Sequence, residues 1–579
     1  MKNNLNDLRH SSAHLLAAAV LDIYPDTKLA IGPAIENGFY YDFDFKKPIS
    51  ETDLPKIEKK MTEIVKSWKN FTRIEVTKKE ALARFKNNPF KIELIEEFSK
   101  EGKTLSLYQS GNFVDLCKGA HCENPSKEID AFKLLSIAGA YWRGSEKNPM
   151  LTRIYGTVWP TKAELEDYLT KLELAKESDH RKIGKDLGLF VFSDLVGKGL
   201  PLLTGKGTTF RRVLERYIVD LELSKGYIHV QTPPLAKVDL YRLSGHYPYY
   251  KDTMYPPMVV DDEELILRPM TCPHHFMLYK AEIHSYKELP IKLAEIAEQF
   301  RYEKSGELSG LMRVRMFTLS DAHIICKPDQ AKAEIKGVLD LIEEVNQTLG
   351  LKKGEDYRFR LSLGDRKEVK KYFKADAAWD QAENLLREVL QEAKAPFFEA
   401  ENEAAFYGPK IDIQMRNVLG KEETAYTIQY DFVQPKKFDL KYIDDQGKEA
   451  EVVVIHRSSI GAIERIMAFL LEHYSGKLPT WLSPIQIEVI PISDRHLDYA
   501  NNVQEDLQKQ GFRAEVNGKS EPMGAKIRDA QIQKIPYMLI VGDREQVKKE
   551  VAVRDRDGKN LGTISIENFV THIQKELPT

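Results

Sequence analysis

The sequence predicts a multidomain α+β protein built around an antiparallel sheet, and three observations support this. The 579 residues suffice for about four domains at roughly 150 residues each. Between residues 185 and 480, strand-like runs such as FYGPKIDIQM and ETAYTIQYDF form hairpins more often than they alternate with helices. Beyond residue 481 strand and helix patterns alternate, which is typical of a small parallel α/β domain.

Composition and charge are those of an ordinary soluble protein. Apolar residues make up 42% and charged residues 30% of the chain, enough for a large core. The net charge of -3 gives no overall attraction to nucleic acid, so an RNA contact needs a local basic face. Four cysteines are too few to form a disulfide framework in so long a chain. No apolar run reaches the roughly 18 residues that a membrane span needs. We expect a cytoplasmic protein without a membrane partner.

The first domain, residues 1–160, carries two histidine-containing pairs. The helical pattern LNDLRHSSAHLLAAAVLDIY places His10 and His14 on one face, and DLCKGAHCENP repeats the four-residue spacing with Cys117 and His121. The four side chains form either a zinc-type ligand set or a cluster that places a hydroxyl and a water. Coincidental surface histidines are the remaining alternative. The intervening patterns predict the α+β mixture: strands in IGPAIENGFYYDFDF, a helix in LPKIEKKMTEIVKSW, and a strand and helix in IEVTKKEALARF.

The next segments predict a linker and the start of the core domain. Residues 161–184 are highly charged, with apolar residues three and four apart, and predict one connecting helix. The core domain, residues 185–480, contains the long helix TTFRRVLERYIVDLELSKGY and then the strand IHVQTPPL. Helices are also predicted at 331–349 and 376–392, and a strand at YRFRLSL. The last domain is predicted to span residues 481–579.

A metal site is one interpretation of the core's polar residues. Cys272 in RPMTCPHH and His323 in LSDAHIIC are good zinc ligands, and His456 is a third, expected where the strand EVVVI ends and a loop begins. Three protein ligands with an open position are typical of a catalytic zinc. The alternatives stay open at this point: a lone cysteine is usually a small core residue, and His274 and His275 compete for a ligand role.

Arginines between these ligands indicate an anion site. MRVRMFTL has the alternation of a strand, which predicts that Arg313 and Arg315 share one face. Two adjacent guanidiniums repel each other unless an anion lies between them.

Several segments resemble the motifs of class II aminoacyl-tRNA synthetases. The helix and strand ending in TPPL, the segment from FRYE to the arginine-bearing strand, and the glycine followed by Glu464 and Arg465 resemble motifs 1, 2 and 3. MTCPHH, LSGLMRVRMFTLSDAH, FYGPKIDI, TIQYDF and IHRSSIGAIERIMAFLLEHY, with HSSAH and DLCKGAH, look more specifically like the threonyl-tRNA synthetase family. The resemblance covers essentially the whole chain and begins almost at HSSAH. We therefore expect the family's small N-terminal ubiquitin-like domain to be missing.

The resemblance implies a threonine–tRNA ligase that uses ATP and L-threonine to charge tRNA(Thr) through threonyl-adenylate. It implies one Zn²⁺ held by Cys272, His323 and His456, and Mg²⁺ bound with ATP. The implied catalytic residues are Arg301 at the α-phosphate, Arg465 at the γ-phosphate, and Arg313 at the phosphate or acyl-adenylate. The implied substrate and ATP contacts are Glu303 near adenine, Asp321 at the threonine ammonium, and Gln429, Met270 and Lys410.

Discrimination between amino acids explains why such an enzyme needs both a metal and a second site. An apolar pocket rejects valine poorly, whereas zinc can bind the threonine hydroxyl that valine lacks. Serine has that hydroxyl and lacks only a methyl, a difference of roughly 1–3 kcal/mol. The resemblance therefore implies that the first domain edits seryl-tRNA(Thr), with the residues His10, His14, Cys117, His121, Asp115 and Lys91. The equivalent set binds zinc in alanyl-tRNA synthetase, but likeness to bacterial threonyl enzymes implies no editing metal.

The resemblance also implies partners. The last domain resembles the anticodon-binding domain of class IIa synthetases, with Glu545 and Arg554 expected at anticodon bases. A homodimer across motif 1 is expected. A catalytically silent paralogue that binds RNA as a regulator is the main alternative. An alanine-charging relative is disfavoured by the C-terminal domain and the three zinc ligands.

Overall fold

The computed structural model describes residues 5–368 and 370–578. It divides into two compact units, Met1–Glu173 and Leu174–Thr579. In these described ranges, every helix is too short or too polar to cross a bilayer.

The first unit is an α+β fold with two antiparallel sheets. Its helices are α1 (Leu5–Ile23), α2 (Leu54–Val65), α3 (Lys78–Arg84), α4 (Pro89–Lys100), α5 (Pro125–Glu128) and the beginning of α6 (Lys162–Glu177). Its strands are β1 (Lys28–Leu29), β2 (Ala34–Ile35), β3 (Gly38–Asp44), β4 (Thr72–Glu75), β5 (Ser106–Ser110), β6 (Phe113–Leu116), β7 (Ala131–Tyr141) and β8 (Met150–Trp159). One sheet has the order β1-β3-β8-β7 with β2 on β3, and the other has the order β4-β5-β6.

Helix α1 lies in the centre of the first unit. Its alanines and leucines are buried, and Leu15, Leu16 and Val20 belong to the same apolar cluster as Phe39 and Phe43 of β3. A helix buried on most of its surface holds its few polar side chains in fixed positions. The histidines of α1 are therefore presented by a rigid element.

The second unit is built on one eight-stranded sheet. Its helices up to the C-terminal region are α7 (His180–Asp186), α8 (Gly205–Ser224), α9 (Val238–Ser244), α10 (His246–Tyr249), α11 (Cys272–Lys280), α12 (Ala331–Thr348), α13 (Asp376–Glu392), α14 (Gln434–Lys437) and α15 (Ile463–His473). The corresponding strands are β9 (Phe190–Val191), β10 (Leu202–Leu203), β11 (Ile228–His229), β12 (Leu235–Lys237), β13 (Met258–Val260), β14 (Glu263–Leu267), β15 (Ile291–Phe300), β16 (Met316–Cys326), β17 (Tyr357–Ser362), β18 (Phe397–Ala400), β19 (Lys410–Arg416), β20 (Glu422–Asp431), β21 (Lys441–Ile443), β22 (Glu449–Glu451) and β23 (Val453–Ala462).

The sheet order confirms the predicted antiparallel core. The strands run β11-β15-β16-β23-β20-β19-β17-β18, antiparallel except for the parallel edge pairs β11–β15 and β17–β18. Helices α8, α12, α13 and α15 contribute residues to the main apolar core together with the central strands. Because β16 and β23 are neighbours in the centre, His323 lies directly opposite His456.

Two local predictions in the core domain were wrong. Arg313 and Arg315 do not lie on a strand, because β16 begins only at Met316. They belong to a loop in which Ser309 pairs with Arg313 around Gly310, whose φ of 49° suits a tight turn. His456 does not end a strand either, because β23 continues to Ala462.

Two other segments are shorter or more divided than expected. The linker breaks into α6 and α7, because the Asp179 side chain accepts a hydrogen bond from Arg181 N–H and starts a new helix. The predicted strand at IHVQTPPL is interrupted: Ile228–His229 pair with β15, and Leu235 already belongs to β12, which pairs with β14. Pro233 and Pro234 lie between these two pairings and supply no N–H groups.

The C-terminal region forms a five-stranded α/β sheet, as predicted. Its helices are α16 (Leu497–Lys509), α17 (Met523–Ile532), α18 (Asp543–Lys548) and α19 (Ile566–Gln574), and its strands are β24 (Ile487–Pro491), β25 (Ala514–Val516), β26 (Tyr537–Val541), β27 (Glu550–Asp555) and β28 (Asn560–Ser565). The order is β25-β24-β26-β27-β28, with the first three strands parallel and the last two antiparallel.

Candidate active site

A cavity of ≈ 320 Å³ lies against the central strands of the eight-stranded sheet. Phe317, Leu319, Asp321 and His323 all line it, because alternate residues of β16 share one face. The other predicted residues that line it are Met270, Cys272, Arg301, Glu303, Arg313, Gln429, His456 and Arg465. Lys410 is not part of this lining, and its Nζ donates to Asp412 Oδ1 at 3.0 Å.

Cys272, His323 and His456 meet at one end of the cavity. Cys272 begins α11, while the two histidines come from the adjacent strands β16 and β23. One ligand atom from each residue lies within 4.8 Å of the others, and all three side chains are buried. Burial, followed by the charge of Asp321, raises the pKa of the Cys272 thiol well above its usual range. These three residues could hold a metal ion, since a thiolate and two imidazoles are a common donor set.

Each of the two histidines has a partner on its other nitrogen. Asp431 Oδ2 accepts from His456 Nε2 at 2.8 Å, and Asp431 Oδ1 is fixed by two backbone N–H groups. His323 Nδ1 lies 2.9 Å from His275 Nδ1. The neighbouring His274 faces Tyr241, with ring centroids 6.3 Å apart, and is not in the cluster. Carboxylate or imidazole partners of this kind orient metal-ligating histidines.

Two arginines face the other part of the cavity. The side chain of Arg465 is half-buried and that of Arg301 is exposed to the cavity. Desolvation by the surrounding protein lowers the pKa of both guanidiniums, and Arg465 further lowers that of Arg301. Arg465 donates to the backbone carbonyls of Met312 and Thr424, at 3.2 and 2.9 Å, and Arg301 lies over the Phe317 ring. Within the described residues neither guanidinium forms an ion pair. Two guanidiniums that line one cavity and form no ion pair make a site suited to an anion.

The other side chains predicted to contact ATP or threonine in this cavity already have hydrogen-bond partners within the protein. Glu303 Oε2 accepts from Arg313 Nε at 2.8 Å, so these two expected ATP contacts bind each other. Asp321 accepts from Gln299 Nε2 at 3.3 Å, and burial raises the pKa of its carboxyl. Gln429 donates to Thr427 Oγ1 at 2.7 Å. An acidic group beside the metal-type cluster is suited to an ammonium group.

A second cluster lies in the first unit, at the end of β6. Helix α1 presents His10 and His14, and the loop after Leu116 presents Cys117 and His121. One ligand atom of each lies within 4.8 Å of the others. Cys117 Sγ is 3.4 Å from both His10 Nε2 and His121 Nε2. The predicted grouping of the two spaced pairs is therefore seen in the structure.

The second cluster is held by neutral groups. His10 Nδ1 donates to the carbonyl of Ala120 at 3.0 Å, and Ala120 has a left-handed φ of 53°. His121 Nδ1 lies 3.1 Å from Ser11 Oγ. Burial, reinforced by the neighbouring histidines, lowers the pKa of His121 to about 2, and burial raises the pKa of Cys117 to about 11. The cluster is a set of uncharged imidazoles and a thiol.

Asp115 lies beside this cluster, but its carboxylate is paired with Lys91 and Tyr41 and not with the histidines. Lys91 Nζ is 2.6 Å from Asp115 Oδ1, and Tyr41 donates to Oδ2 at 2.5 Å. His14 Nδ1 is more distant, at 3.7 Å. Lys91 and Asp115 are both buried, so each needs the other as a counter-charge.

The two predicted anticodon residues lie on neighbouring elements of the C-terminal sheet. Glu545, on α18, accepts from Gly542 N–H at 3.0 Å and so caps its own helix. Arg554 lies on β27 and is partly exposed.

Sequence reasoning missed three residues that support the two clusters, namely Tyr41, Asp431 and Glu295. It considered a fourth, His275, only as a competing metal ligand. Asp431 and His275 are within the quoted segments TIQYDF and MTCPHH, and an acid at the end of an apolar strand was an available signal for Asp431. Nothing in the local pattern distinguishes Tyr41 or Glu295, because their partners are distant in sequence.

Three family descriptions match parts of the chain. Residues 258–474 match the tRNA synthetase class II core domain (G, H, P, S and T), and residues 486–576 match an anticodon binding domain. Residues 105–155 match the threonyl and alanyl tRNA synthetase second additional domain. Cys272, His323 and His456 all fall within the match to the class II core domain. Cys117 and His121 fall within the match to the second additional domain.

Curated relatives extend the match to the whole chain. A threonine–tRNA ligase of Geobacillus sp. (strain WCH70) is 52% identical over 100% of this chain and 89% of its own length. Threonine–tRNA ligase 1 of Bacillus subtilis (strain 168) is 52% identical over 98% of this chain and 88% of its own length. Among solved structures, a putative threonyl-tRNA synthetase from Aeropyrum pernix is 30% identical, with a TM-score of 0.62, over 69% of this chain and 95% of its own.

A second solved structure gives the same result. The RNA binding domain of threonyl-tRNA synthetase from Cryptosporidium parvum Iowa II is 34% identical, with a TM-score of 0.65, over 69% of this chain and 99% of its own. The extent and identity of the curated matches leave one family. The chain belongs to the threonyl-tRNA synthetases, within the class II aminoacyl-tRNA synthetases.

Proposed function

We propose that this enzyme attaches L-threonine to tRNA(Thr) with ATP, through threonyl-adenylate, and hydrolyses seryl-tRNA(Thr) formed in error. One observation supports the synthetic reaction most directly. The buried Cys272, His323 and His456 share one cavity with the guanidiniums of Arg301 and Arg465, which form no ion pair within the described residues. The cavity thus offers an amino-acid end and a polyphosphate end.

The arginines stabilise charge during adenylate formation. A carboxylate oxygen of threonine attacks the α-phosphorus of ATP, and the bond to pyrophosphate breaks. Arg301 binds the α-phosphate and stabilises the charge that develops around the attacked phosphorus, while Arg465 binds the γ-phosphate and neutralises charge on the departing pyrophosphate, with Mg²⁺ bound to ATP. Because backbone carbonyls already fix Arg465, its binding requires little reorganisation.

Other residues of the cavity orient the two substrates. Asp321 accepts from the threonine ammonium, while Glu303, Gln429 and Met270 face the nucleotide. Arg313 leaves Glu303 when a phosphate or acyl-adenylate offers a stronger partner, which its half-exposed position permits. Lys410 acts from outside the lining, through Asp412. In the second step a ribose hydroxyl at the tRNA 3′ end attacks the acyl carbon, and AMP leaves.

The donor set of the catalytic cluster fits Zn²⁺. It comprises a buried thiol and two imidazoles, and Asp431 holds His456 by the nitrogen that is not needed for a metal. When bound, Zn²⁺ supplies a Lewis acid that recognises the amino and hydroxyl groups of threonine, which valine cannot offer in full. Cys272, His323 and His456 would hold it, and Asp321 lies beside them.

The second cluster supports the editing reaction. Water attacks the ester carbon of seryl-tRNA(Thr), and the bond to the tRNA ribose breaks. His10, His14 and His121 are uncharged and lie together with Cys117; His14 is buried and the other three are half-buried, an arrangement suited to orienting that water and the ester. Lys91 and Asp115 fix the wall of the site through their ion pair. The assignment includes no editing metal.

The remaining assignments concern domains and partners. We assign residues 1–160 to editing, 161–184 to a linker, 185–480 to catalysis and 481–579 to anticodon binding through Glu545 and Arg554. The family matches at 105–155, 258–474 and 486–576 support these limits. We infer a homodimer, as expected of class II enzymes. All four cysteines are free thiols, which supports a cytoplasmic location.

Amino-acid-dependent ATP–pyrophosphate exchange tests the proposal. Threonine should give strong exchange, serine weak exchange and valine none, and removal of zinc should abolish the threonine signal. Addition of zinc to the stripped protein should restore it. No exchange from folded, zinc-loaded protein would contradict the proposal and favour an RNA-binding regulator.

A further inference from the structure

His275 is a completely buried histidine beside the proposed zinc ligands. It lies on α11, three residues after Cys272, and none of its side chain is exposed. Its Nδ1 is 2.9 Å from Nδ1 of His323, and its Nε2 is 3.2 Å from Oε2 of Glu295. Both nitrogens of His275 are therefore engaged, which leaves neither of them for a metal.

Glu295, His275 and His323 form a hydrogen-bonded series, and the ionisation of Glu295 determines which nitrogens of the two histidines carry protons. Arg268 donates to Glu295 Oε1 at 3.1 Å, and Thr232 donates to Oε2 at 2.7 Å. Burial alone raises the pKa of Glu295, but hydrogen bonds from His275 and Thr232 and the charge of Arg268 outweigh burial and lower it to about 2. An ionised carboxylate only accepts hydrogen bonds, so His275 donates from Nε2.

The proton position on His323 follows from the proton on His275 Nε2. A neutral imidazole with its proton on Nε2 has a lone pair on Nδ1. That lone pair faces Nδ1 of His323, and two nitrogens 2.9 Å apart need one donor and one acceptor. His323 therefore carries its proton on Nδ1 and has its lone pair on Nε2, the nitrogen on the other side of the ring.

We propose that His275 is a positioning residue for the zinc ligand His323, which it holds in the tautomer and orientation that leave Nε2 free for the metal. The inference rests on the zinc site of the proposed function. With this role for His275, each of the two histidine ligands has a carboxylate behind the nitrogen that faces away from the metal. His456 is backed by a carboxylate directly, through Asp431, and His323 is backed by Glu295 through His275.

Two substitutions of His275 separate this role from a general packing role. His275→Leu removes the acceptor that faces His323. His275→Asn keeps a side-chain oxygen close to the position of the Nδ1 acceptor but loses the contact with Glu295. The matched control is His274→Asn, at the next position of the same helix and outside the cluster. Each full-length variant is loaded with zinc, and metal release to a chromogenic chelator is timed.

We expect His275→Leu to release zinc about 10- to 100-fold faster than the parent protein. His275→Asn and His274→Asn should release it at close to the parent rate. With Co²⁺ in place of zinc, the ligand-field absorption bands should change in His275→Leu and be retained in the other two. If His275→Leu does not fold, Glu295→Gln is the second test. Its amide can donate to His275 Nε2 and reverse the proton order, so it should also release zinc faster.

The outcomes distinguish this inference from the proposed function. If the parent protein binds no zinc, the metal site itself is wrong. If the parent binds zinc and His275→Leu, or Glu295→Gln in its place, releases it at the parent rate, only the role of His275 is wrong. Equal acceleration in His275→Leu and His275→Asn would also overturn it, because the acceptor facing His323 would then be irrelevant.

Discussion

The catalytic cluster and the editing cluster use the same side chains in different surroundings. Each combines a thiol with imidazoles whose ligand atoms lie within 4.8 Å of one another. The catalytic histidines lie on adjacent strands and are backed by the carboxylates of Asp431 and Glu295. The editing histidines are backed by a carbonyl, at Ala120, and a hydroxyl, at Ser11.

If the proposed assignment of a metal to only one of the two clusters is right, residue type alone does not define a metal site. A carboxylate behind an imidazole increases its basicity and fixes its orientation, which favours a metal. In the editing cluster the nearby carboxylate of Asp115 is already paired with Lys91. Burial, reinforced for His14 and His121 by the neighbouring histidines, keeps the cluster's imidazoles neutral and weakly basic, which is suited to orienting a water and an ester.

Removing the thiol from each cluster tests this contrast, and the larger effect is expected in the catalytic cluster. Cys272→Ala should lose zinc and with it the recognition of the threonine hydroxyl. The ratio of exchange with threonine to exchange with valine should then fall, on the order of 10⁴-fold, because sites built to bind a hydroxyl discriminate to that extent. Zinc content and pyrophosphate exchange measure both effects.

Cys326→Ala is the matched control for this change. Cys326 is also buried on β16, but it belongs to the apolar core on the opposite face from His323. It should keep zinc and discrimination. Equal losses in both variants would mean that general destabilisation, and not a lost ligand, explains the result.

The same change in the editing cluster should affect a different reaction. Cys117→Ala leaves His10 and His121 without the sulfur that lies 3.4 Å from each. Hydrolysis of seryl-tRNA(Thr) should slow by about 10²-fold, within the usual range for positioned acid–base groups. Threonine-dependent exchange should be unchanged, and so should both activities in Cys122→Ala, a buried neighbour in the apolar core. A loss of exchange in Cys117→Ala would contradict the separation of the sites.

Neutralising the carboxylate behind His456 should weaken metal retention without removing a ligand. Asp431→Asn can keep the two backbone hydrogen bonds to Oδ1, but it removes the charge and turns an N–H donor in place of the Oδ2 acceptor towards His456 Nε2. We expect zinc affinity to fall about 10- to 100-fold, as is usual for such partners. Competition with a chelator of known affinity measures it. Unchanged affinity would show that the carboxylate is not what distinguishes the catalytic cluster.

The sequence predicted the elements better than their ends. Helix α13 and the paired strands β19 and β20 follow directly from apolar spacing, and the antiparallel core was predicted from the excess of hairpins. The errors occur where tertiary partners override local pattern. MRVRMFTL alternates like a strand, yet the turn at Gly310 keeps its arginines in a loop. The polar run after His456 reads as a loop, yet buried partners such as Asp431 and Glu222 accommodate it within β23.

The residues of the two clusters could be predicted where they belong to regularly spaced motifs or to segments that resemble the family. His10, His14, Cys117 and His121 were grouped by spacing, and they converge in the structure. The contacts of the supporting residues were not predictable, because Asp431 and His275 each contact a residue at least 25 positions away along the chain. Only the fold determines which of many buried polar residues lies behind a ligand.

The smallest expected effect is an absence of titration in the editing cluster. Burial lowers the pKa of His10, His14 and His121, the last to about 2. Ordinary histidines change charge near pH 6.5, so His14 and His121 should remain neutral in the folded enzyme well below that value, and His10 should change charge below it. The rate of seryl-tRNA(Thr) hydrolysis, corrected for the spontaneous reaction, should show no inflection at the ordinary histidine pH of about 6.5.

Stability should respond to pH although the reaction does not. In the unfolded chain the same histidines bind protons below about pH 6.5, whereas in the folded chain they do not. Their contribution to the free energy of unfolding is therefore complete above about pH 6.5 and is lost as the pH falls below it. Urea unfolding should show midpoints that decline below that pH, less steeply in His121→Gln than in the parent protein. A hydrolysis rate that falls with a midpoint near pH 6.5 would mean that the editing histidines titrate normally. The neutral surroundings of Ala120 and Ser11 would then not explain how this cluster differs from the catalytic one.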